Sequence, residues 1–193
     1  MAKNIGYLTS GRTKESDEVY TPDYVVHAIA KYIPNKIENR ITNILCPFDL
    51  DHHAFPRIFK ELGYNVFNSH FYPFTQSGFN FFDYTRLWCE DKQIDYLVTN
   101  PAFSIKDEVL EHCEELNVPY ALLLPLPTLQ GNKRYQKVFS KGNTQVLIFD
   151  KRIPYSTKEK QWSEQSGNHF ASVFICKGVL PQSLIFDELK IIS

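Results

Sequence analysis

The stretch Ile94–Phe103, IDYLVTNPAF, constrains the fold more than any other part of the chain. Its apolar run is short, suits a strand, and is cut off by a proline. It therefore reads as a buried strand (Ile94–Thr99) entering an Asn-Pro-x-Phe loop. Proline there fixes φ and removes a donor, so the chain turns and carbonyls are left without partners. Asn100 adds one acceptor and two donors, and Phe103 a flat apolar face. A planar substrate with an exocyclic amine suits that pair. An Asn-Pro turn followed by a core phenylalanine is the plainer alternative.

Strand and helix signals alternate around this segment. Thr21-Pro22 opens a helix with Thr as N-cap and Pro in the first turn, and Pro34 stops it. Thr42–Cys46 is a short apolar strand, and Asp51–Leu62 a helix closed by Gly63. Tyr64–Asn68 reads as a second strand, whereas residues 71–92 are aromatic and irregular. Ser104 to Asp107 opens a helix as a capping-box variant. Tyr120–Leu124 is continuously apolar, as in a parallel sheet covered on both faces. Gly131–Ser140 is a short helix, Thr144–Phe149 a strand, 150–168 a polar loop and His169–Cys176 a late strand. This order predicts an α/β three-layer sandwich with a mostly parallel sheet and an antiparallel C-terminal strand. Ligands in such sheets sit beyond the carboxyl ends of the strands, the edge to which CPFD (46–49) and NPAF (100–103) both belong. Residues 1–19 form a polar arm, and 20–193 a single domain.

Composition narrows the functional classes. A net charge of −1 gives no global attraction for nucleic acid. Local basic clusters at Lys133, Arg134, Lys137 and Lys141, and at Lys151, Arg152, Lys158 and Lys160, read first as solvated surfaces. Cys46, Cys89, Cys113 and Cys176 are widely spaced without a C-x-x-C pair, as expected of buried thiols in a reducing compartment. No signal-peptide core or membrane-spanning run is present, so the cytoplasm is expected. His52 and His53 beside Asp49 and Asp51 lack metal-ligand spacing, and no metal is expected. His169 reads as structural. Simple hydrolase, kinase and dehydrogenase motifs are absent.

The order YTP (20–22), CPFD (46–49), FNFF (79–82), DYLVTNPAF (95–103) and LLLP (122–125) resembles the adenine-type amino methyltransferases, and most closely the small methyltransferase-like proteins of phages and prophages. That resemblance implies a Rossmann-like class I methyltransferase fold, S-adenosylmethionine as cofactor and a DNA or RNA partner. It implies that Asn100 and the Pro101 carbonyl hold the target amine, with Phe103 stacked on the base. Tyr20, Thr21 and Pro22 would lie against the cofactor, with Cys46, Pro47 and Asp49 near its amino-acid end. Asn68 or Ser69, after the second strand, would meet the ribose, and Asn80 and Phe81 the adenine ring. The chain departs from the family pattern at Ala102, where a second proline is usual, and at 46–55, which lacks glycine. The acidic ribose ligand after the second strand is also missing, and Asn80 stands where Asp is common. These departures keep a second reading open, a catalytically degenerate protein of the same fold that binds a protein or nucleic-acid partner. Substrate choice would come from the loops at 71–92 and 150–168, from a partner or from a homodimer.

Overall fold

The computed structural model describes residues 20–69, 80–155 and 171–190; the expected arm at 1–19 and His169 lie outside them. The first helix is α1 (Asp23–Ala30), followed by a two-residue hairpin of β1 (Lys36–Ile37) and β2 (Arg40–Ile41). Glu38 and Asn39 make its tight turn with φ of 47° and 68°. Then come β3 (Asn43–Pro47), α2 (Ala54–Glu61), β4 (Asn65–Ser69), α3 (Arg86–Asp91) and β5 (Tyr96–Thr99). The chain continues through α4 (Lys106–Leu116), β6 (Tyr120–Pro125), α5 (Asn132–Lys137), β7 (Gln145–Phe149), β8 (Ser172–Lys177) and β9 (Leu184–Asp187).

Seven strands form one sheet in the order β4-β3-β5-β6-β8-β7-β9. All run parallel except β8, which is antiparallel to both β6 and β7. The expected late antiparallel strand is thus β8, but β9 follows it and returns to the parallel direction. The central strands β3 and β6 are buried at nearly every position, whereas the edge strands β4 and β9 are half exposed. That gradient explains why the central strands read as unbroken apolar runs.

The connection from β3 through α2 to β4 moves one way along the sheet, whereas those into β5 and β6 move the other way. Right-handed crossovers then place α2 on one face and α3 and α4 on the other. The packing agrees, since α1 lies on α2, and α3 and α5 lie on α4. The reversal occurs between β3 and β5, which are hydrogen-bonded neighbours. Their carboxyl ends flank the crevice where such sheets bind ligands.

Several helix starts differ from expectation. Pro22, not Thr21, is the N-cap of α1, because the Thr21 hydroxyl accepts from Asn100 instead. Ser104 does not cap α4, because a 3₁₀ turn at Phe103–Ile105 precedes it and Asp107 is engaged by Arg134. Within the irregular stretch 71–92, α3 forms, capped by the Thr85 hydroxyl accepting from the Trp88 amide at 3.2 Å. Gly63 does end α2, with φ +84°. No helix among the described residues is long and apolar enough to cross a membrane.

The amino edge of the sheet is held by a matched polar network. Asp95 accepts two bonds from Arg40 at 2.7 Å and one from the Asn43 amide at 2.8 Å. The Asn43 side chain donates to the carbonyls of Lys92 and Gln93 and accepts from Asn65, all at 3.0 Å. Behind it, α2 buries Phe59 completely, edge-on to Tyr64 at 5.1 Å. Phe59→Ala is expected to cost about 3–5 kcal/mol by urea unfolding. Leu87→Ala, at an exposed position of α3, is expected to stay within about 0.5 kcal/mol.

Candidate functional site

Three segments distant in sequence meet at the carboxyl ends of β3 and β5. Tyr20–Pro22 enters α1, Cys46–Asp49 leaves β3, and Thr99–Pro101 leaves β5. Each is fixed by a specific contact. Asn100 Nδ2 donates to Thr21 Oγ1 at 3.1 Å, tying the Asn-Pro loop to the start of α1. That bond orients the Asn100 amide, turning its carbonyl oxygen away from Thr21.

Thr99 joins the two strand ends. Its hydroxyl lies 2.5 Å from the Pro47 carbonyl and 2.9 Å from Asp49 Oδ2, with Thr99 itself fully buried. Asp49 is only 7% exposed. Burial pushes its carboxyl above the usual carboxylate range, outweighing the hydrogen bonds from His53 and Thr99 that favour the ionised form. His53 Nδ1 stands 3.4 Å from Asp49 Oδ1 and accepts the Leu50 amide at 3.2 Å. The edge of its ring meets Tyr20, with centroids 5.4 Å apart.

The β3 loop makes its turn without glycine. Phe48 takes φ +70°, a left-handed conformation that costs a bulky residue roughly 1–2 kcal/mol. Its ring packs on Phe81 at 5.0 Å, bringing the 80–82 segment to the wall of the crevice.

The other expected site residues are placed as follows. Cys46 and Pro47 are buried in β3, and burial pushes the Cys46 thiol far up. Asn68 Nδ2 donates to the Asp49 carbonyl at 3.1 Å, so Asn68 braces the β3 loop from the end of β4. Asn80 Oδ1 accepts from the Phe82 amide, capping the 3₁₀ turn at Phe81–Asp83. Phe81 is buried among Phe48, Tyr84 and His112. Pro101 is buried, and Phe103 packs edge-on against buried Tyr155 at 6.3 Å. Thr99, His53 and Phe48 were not singled out from sequence as parts of a ligand site. Asp49 and His53 do stand four residues apart, and Thr99 is the one polar residue ending an apolar strand. Among the described residues no group of three or more His, Cys, Asp or Glu side chains could hold a metal ion.

The basic cluster at 133–141 is engaged elsewhere. Arg134 makes a forked pair with Asp107 at 2.8 and 2.9 Å, Lys133 and Lys137 bind Glu111, and Lys141 binds Glu114 at 2.7 Å. Lys177 and the Tyr120 hydroxyl also converge on Glu114, at 3.3 and 3.0 Å. Since α5 has no buried residue, these ion pairs are its main attachment to α4. Lys151 and Arg152, just after β7, are exposed at the carboxyl edge.

No known protein family matches the chain, and no curated protein matches it.

Two outcomes follow from these electrostatics. A carboxyl whose acidity is weakened by folding stabilises the fold fully below its unfolded pKa, and loses that contribution as pH rises through the native value. Asp49→Asn, which keeps an acceptor for the Thr99 hydroxyl but cannot ionise, is therefore expected to raise Tm near about pH 7 and to change it little near about pH 4. For α5, raising salt from about 0.1 to 1 M shortens the screening length from about 10 to 3 Å. Hydrogen exchange at the amides of 132–137 is expected to accelerate while β6 stays protected.

Proposed function

We propose that the chain is an S-adenosylmethionine-dependent methyltransferase acting on the exocyclic amine of adenine in DNA or RNA. The observation that carries this reading is the meeting of Tyr20–Pro22, Cys46–Asp49 and Thr99–Pro101 at the switch point of the sheet. The mostly parallel sheet with one late antiparallel strand fits the Rossmann-like class I methyltransferase architecture that the motifs imply.

In this reading the Asn100 side-chain oxygen and the Pro101 carbonyl accept the two amine hydrogens, which turns the nitrogen lone pair toward the methyl donor. The Thr21 contact holds the Asn100 amide in the orientation this needs. The cofactor supplies an electrophilic methyl group, so the protein contributes position and fixed dipoles more than a strong base. Tyr20, Thr21 and Pro22 line the cofactor side, Asp49 its amino-acid end, Asn68 the ribose, and Asn80 and Phe81 the adenine end. The donor set fits such a group in one further respect. Phe48 keeps the left-handed turn of the β3 loop although glycine is absent.

Stacking of a target base on Phe103 requires the segment carrying Tyr155 to move, because Tyr155 packs against that ring. A base in a duplex must also be flipped out. The α5 cations are paired to α4, and Lys151, 3.7 Å from Asp150, and Arg152 lie exposed at the carboxyl edge. The burial of Phe103 also favours a second reading, a degenerate methyltransferase-fold protein that binds a protein or nucleic-acid partner.

Calorimetric titration with S-adenosylmethionine tests the first reading, and absence of binding at millimolar ligand overturns it. Asn100→Ala separates the two readings. The enzyme is expected to lose methyl transfer while remaining folded, whereas a binding protein keeps its partner.

A further inference from the structure

The sheet ends at β9 on an edge whose backbone groups point outward. The carbonyls of Ser183 and Asp187 accept from the amides of Val146 and Asp150 at 2.8 and 3.1 Å. Backbone direction alternates along a strand, so residues 183, 185 and 187 turn their polar groups toward β7. Leu184 and Phe186 turn theirs away from it. Among the described residues no strand pairs with that outer side. The same two residues carry exposed side chains, Leu184 at 49% and Phe186 at 73%. They stand in register with Val146 and Ile148 of β7, which places four apolar side chains on one face of the sheet.

Exposed edges are ordinarily guarded by lysine, by proline or by a charge that repels a second strand. Within β9 the single charged residue is Asp187. It is engaged on the opposite face, where Lys31 pairs with it and the Tyr32 hydroxyl donates to it at 2.7 Å. The edge is also complementary to itself. A second β9 laid antiparallel about a twofold axis at Ile185 sets Leu184 of each copy opposite Phe186 of the other. Both are hydrogen-bonded pairs by the direction of their backbones, so four backbone bonds form, and Ile185 meets its own copy on the other face. Asp187 then lies opposite Ser183 and Glu188 opposite Gln182, so no carboxylate meets another. Sliding the register by two residues one way sets Asp187 against Ile185, and the other way sets Gln182 against Phe186.

We propose that β9 is a homodimer interface: two copies of the chain pair through Leu184–Asp187 about a twofold axis at Ile185 and join their sheets into one. Leu184 and Phe186 of both copies, flanked by Val146 and Ile148, form a continuous apolar strip beside the axis. The contact is small. Each Phe186 covers on the order of 150 Å², and two short strands stay below the roughly 1,200 Å² of a standard interface. The dimer is therefore weak and dissociates on dilution, at concentrations on the order of micromolar. Because the two β9 strands run in opposite directions, the carboxyl edges of the two sheets face opposite ways. Each copy keeps its own crevice, and neither lends a residue to the other. This pairing is independent of the function proposed above.

The test is analytical ultracentrifugation of the full chain from about 1 μM to about 1 mM. The wild type is expected to pass from monomer to dimer over that range, and a monomer throughout overturns the proposal. Phe186→Lys puts a charge on the strip, and Leu184→Pro removes an outward amide without touching a bond to β7. Both are expected to stay monomeric and to melt like the dilute wild type. Leu87→Lys, at an exposed apolar position of α3, is expected to leave the dimer intact. Association that survives both β9 variants, or that Leu87→Lys also abolishes, overturns the proposal. Cross-linking then reads the register. Ile185→Cys brings two thiols together across the axis, with Cα atoms about 4.5 Å apart, within disulfide range. Mild oxidation is expected to link it into a dimer, while the native cysteines stay buried. Phe186→Cys, offset from its own copy, is expected to link poorly, and preferential linkage there overturns the proposed pairing. Hydrogen-exchange protection of the 184 and 186 amides in the monomer assigns the edge to another occupant and overturns the proposal as well.

Discussion

The pairing of β3 with β5 is the constraint on which the rest depends. These strands are neighbours in the sheet although α2, β4 and α3 separate them in sequence. Their adjacency creates both edges of functional interest at once. At the amino ends, Arg40, Asn43, Asn65 and Asp95 form a network in which charge meets charge and the amide donors find carbonyls. At the carboxyl ends the same two strands deliver Pro47, Asp49, Thr99 and Asn100, where one hydroxyl stands between two acceptors. A satisfied network rigidifies a fold, whereas a shared hydroxyl serves two acceptors only in part. One pair of strands thus sets the polar contacts at both edges of the sheet.

A second division runs along α4. Its face toward α5 carries Asp107, Glu111 and Glu114, and the cations of α5 and the following turn are bound to them. Glu114 is the deepest member; burial pushes its carboxyl up, but Lys141, Tyr120 and Lys177 together pull it below its ordinary value. The pairing removes the densest basic run from the pool of phosphate-binding groups. A chain of net charge −1 then has little general attraction for a nucleic acid.

What the sequence made legible follows from how much each element owes to local pattern. The strands β3, β5 and β6 are buried on both faces, so their apolar runs were visible without knowing their neighbours. The turn at Gly63 was visible because a helix ending in left-handed φ calls for glycine. By contrast, α3 has six residues and a single buried one, and its best signal is the Thr85 cap. The edge strand β9 alternates weakly because Leu184 and Phe186 are both exposed. The caps at Thr21 and Ser104 were misread for a different reason. A threonine before a proline suits a cap, but here its hydroxyl meets Asn100, a contact 79 residues away in sequence. In the candidate site, Asn100 and Asp49 could be named from the motifs that contain them. The bridge through Thr99 and the ring of His53 could not, because both roles arise only when the strand ends are adjacent.

Two adjacent residues of the β3 loop bear costs of different kinds. Phe48 carries backbone strain in a left-handed conformation, and Asp49 carries a carboxyl held away from water. Either could be relieved by an ordinary substitution, glycine for the first and asparagine for the second. A loop that served only to join β3 to α2 would gain from both changes. Strain and a buried ionisable group stand side by side at the reversal point of the sheet, and such costs cluster at functional sites. The Phe48 ring sets the wall against Phe81, and its φ directs the next side chain inward to Thr99. The strained backbone of Phe48 and the buried carboxyl of Asp49 are thus adjacent parts of one turn, and relieving either would alter the placement of the other.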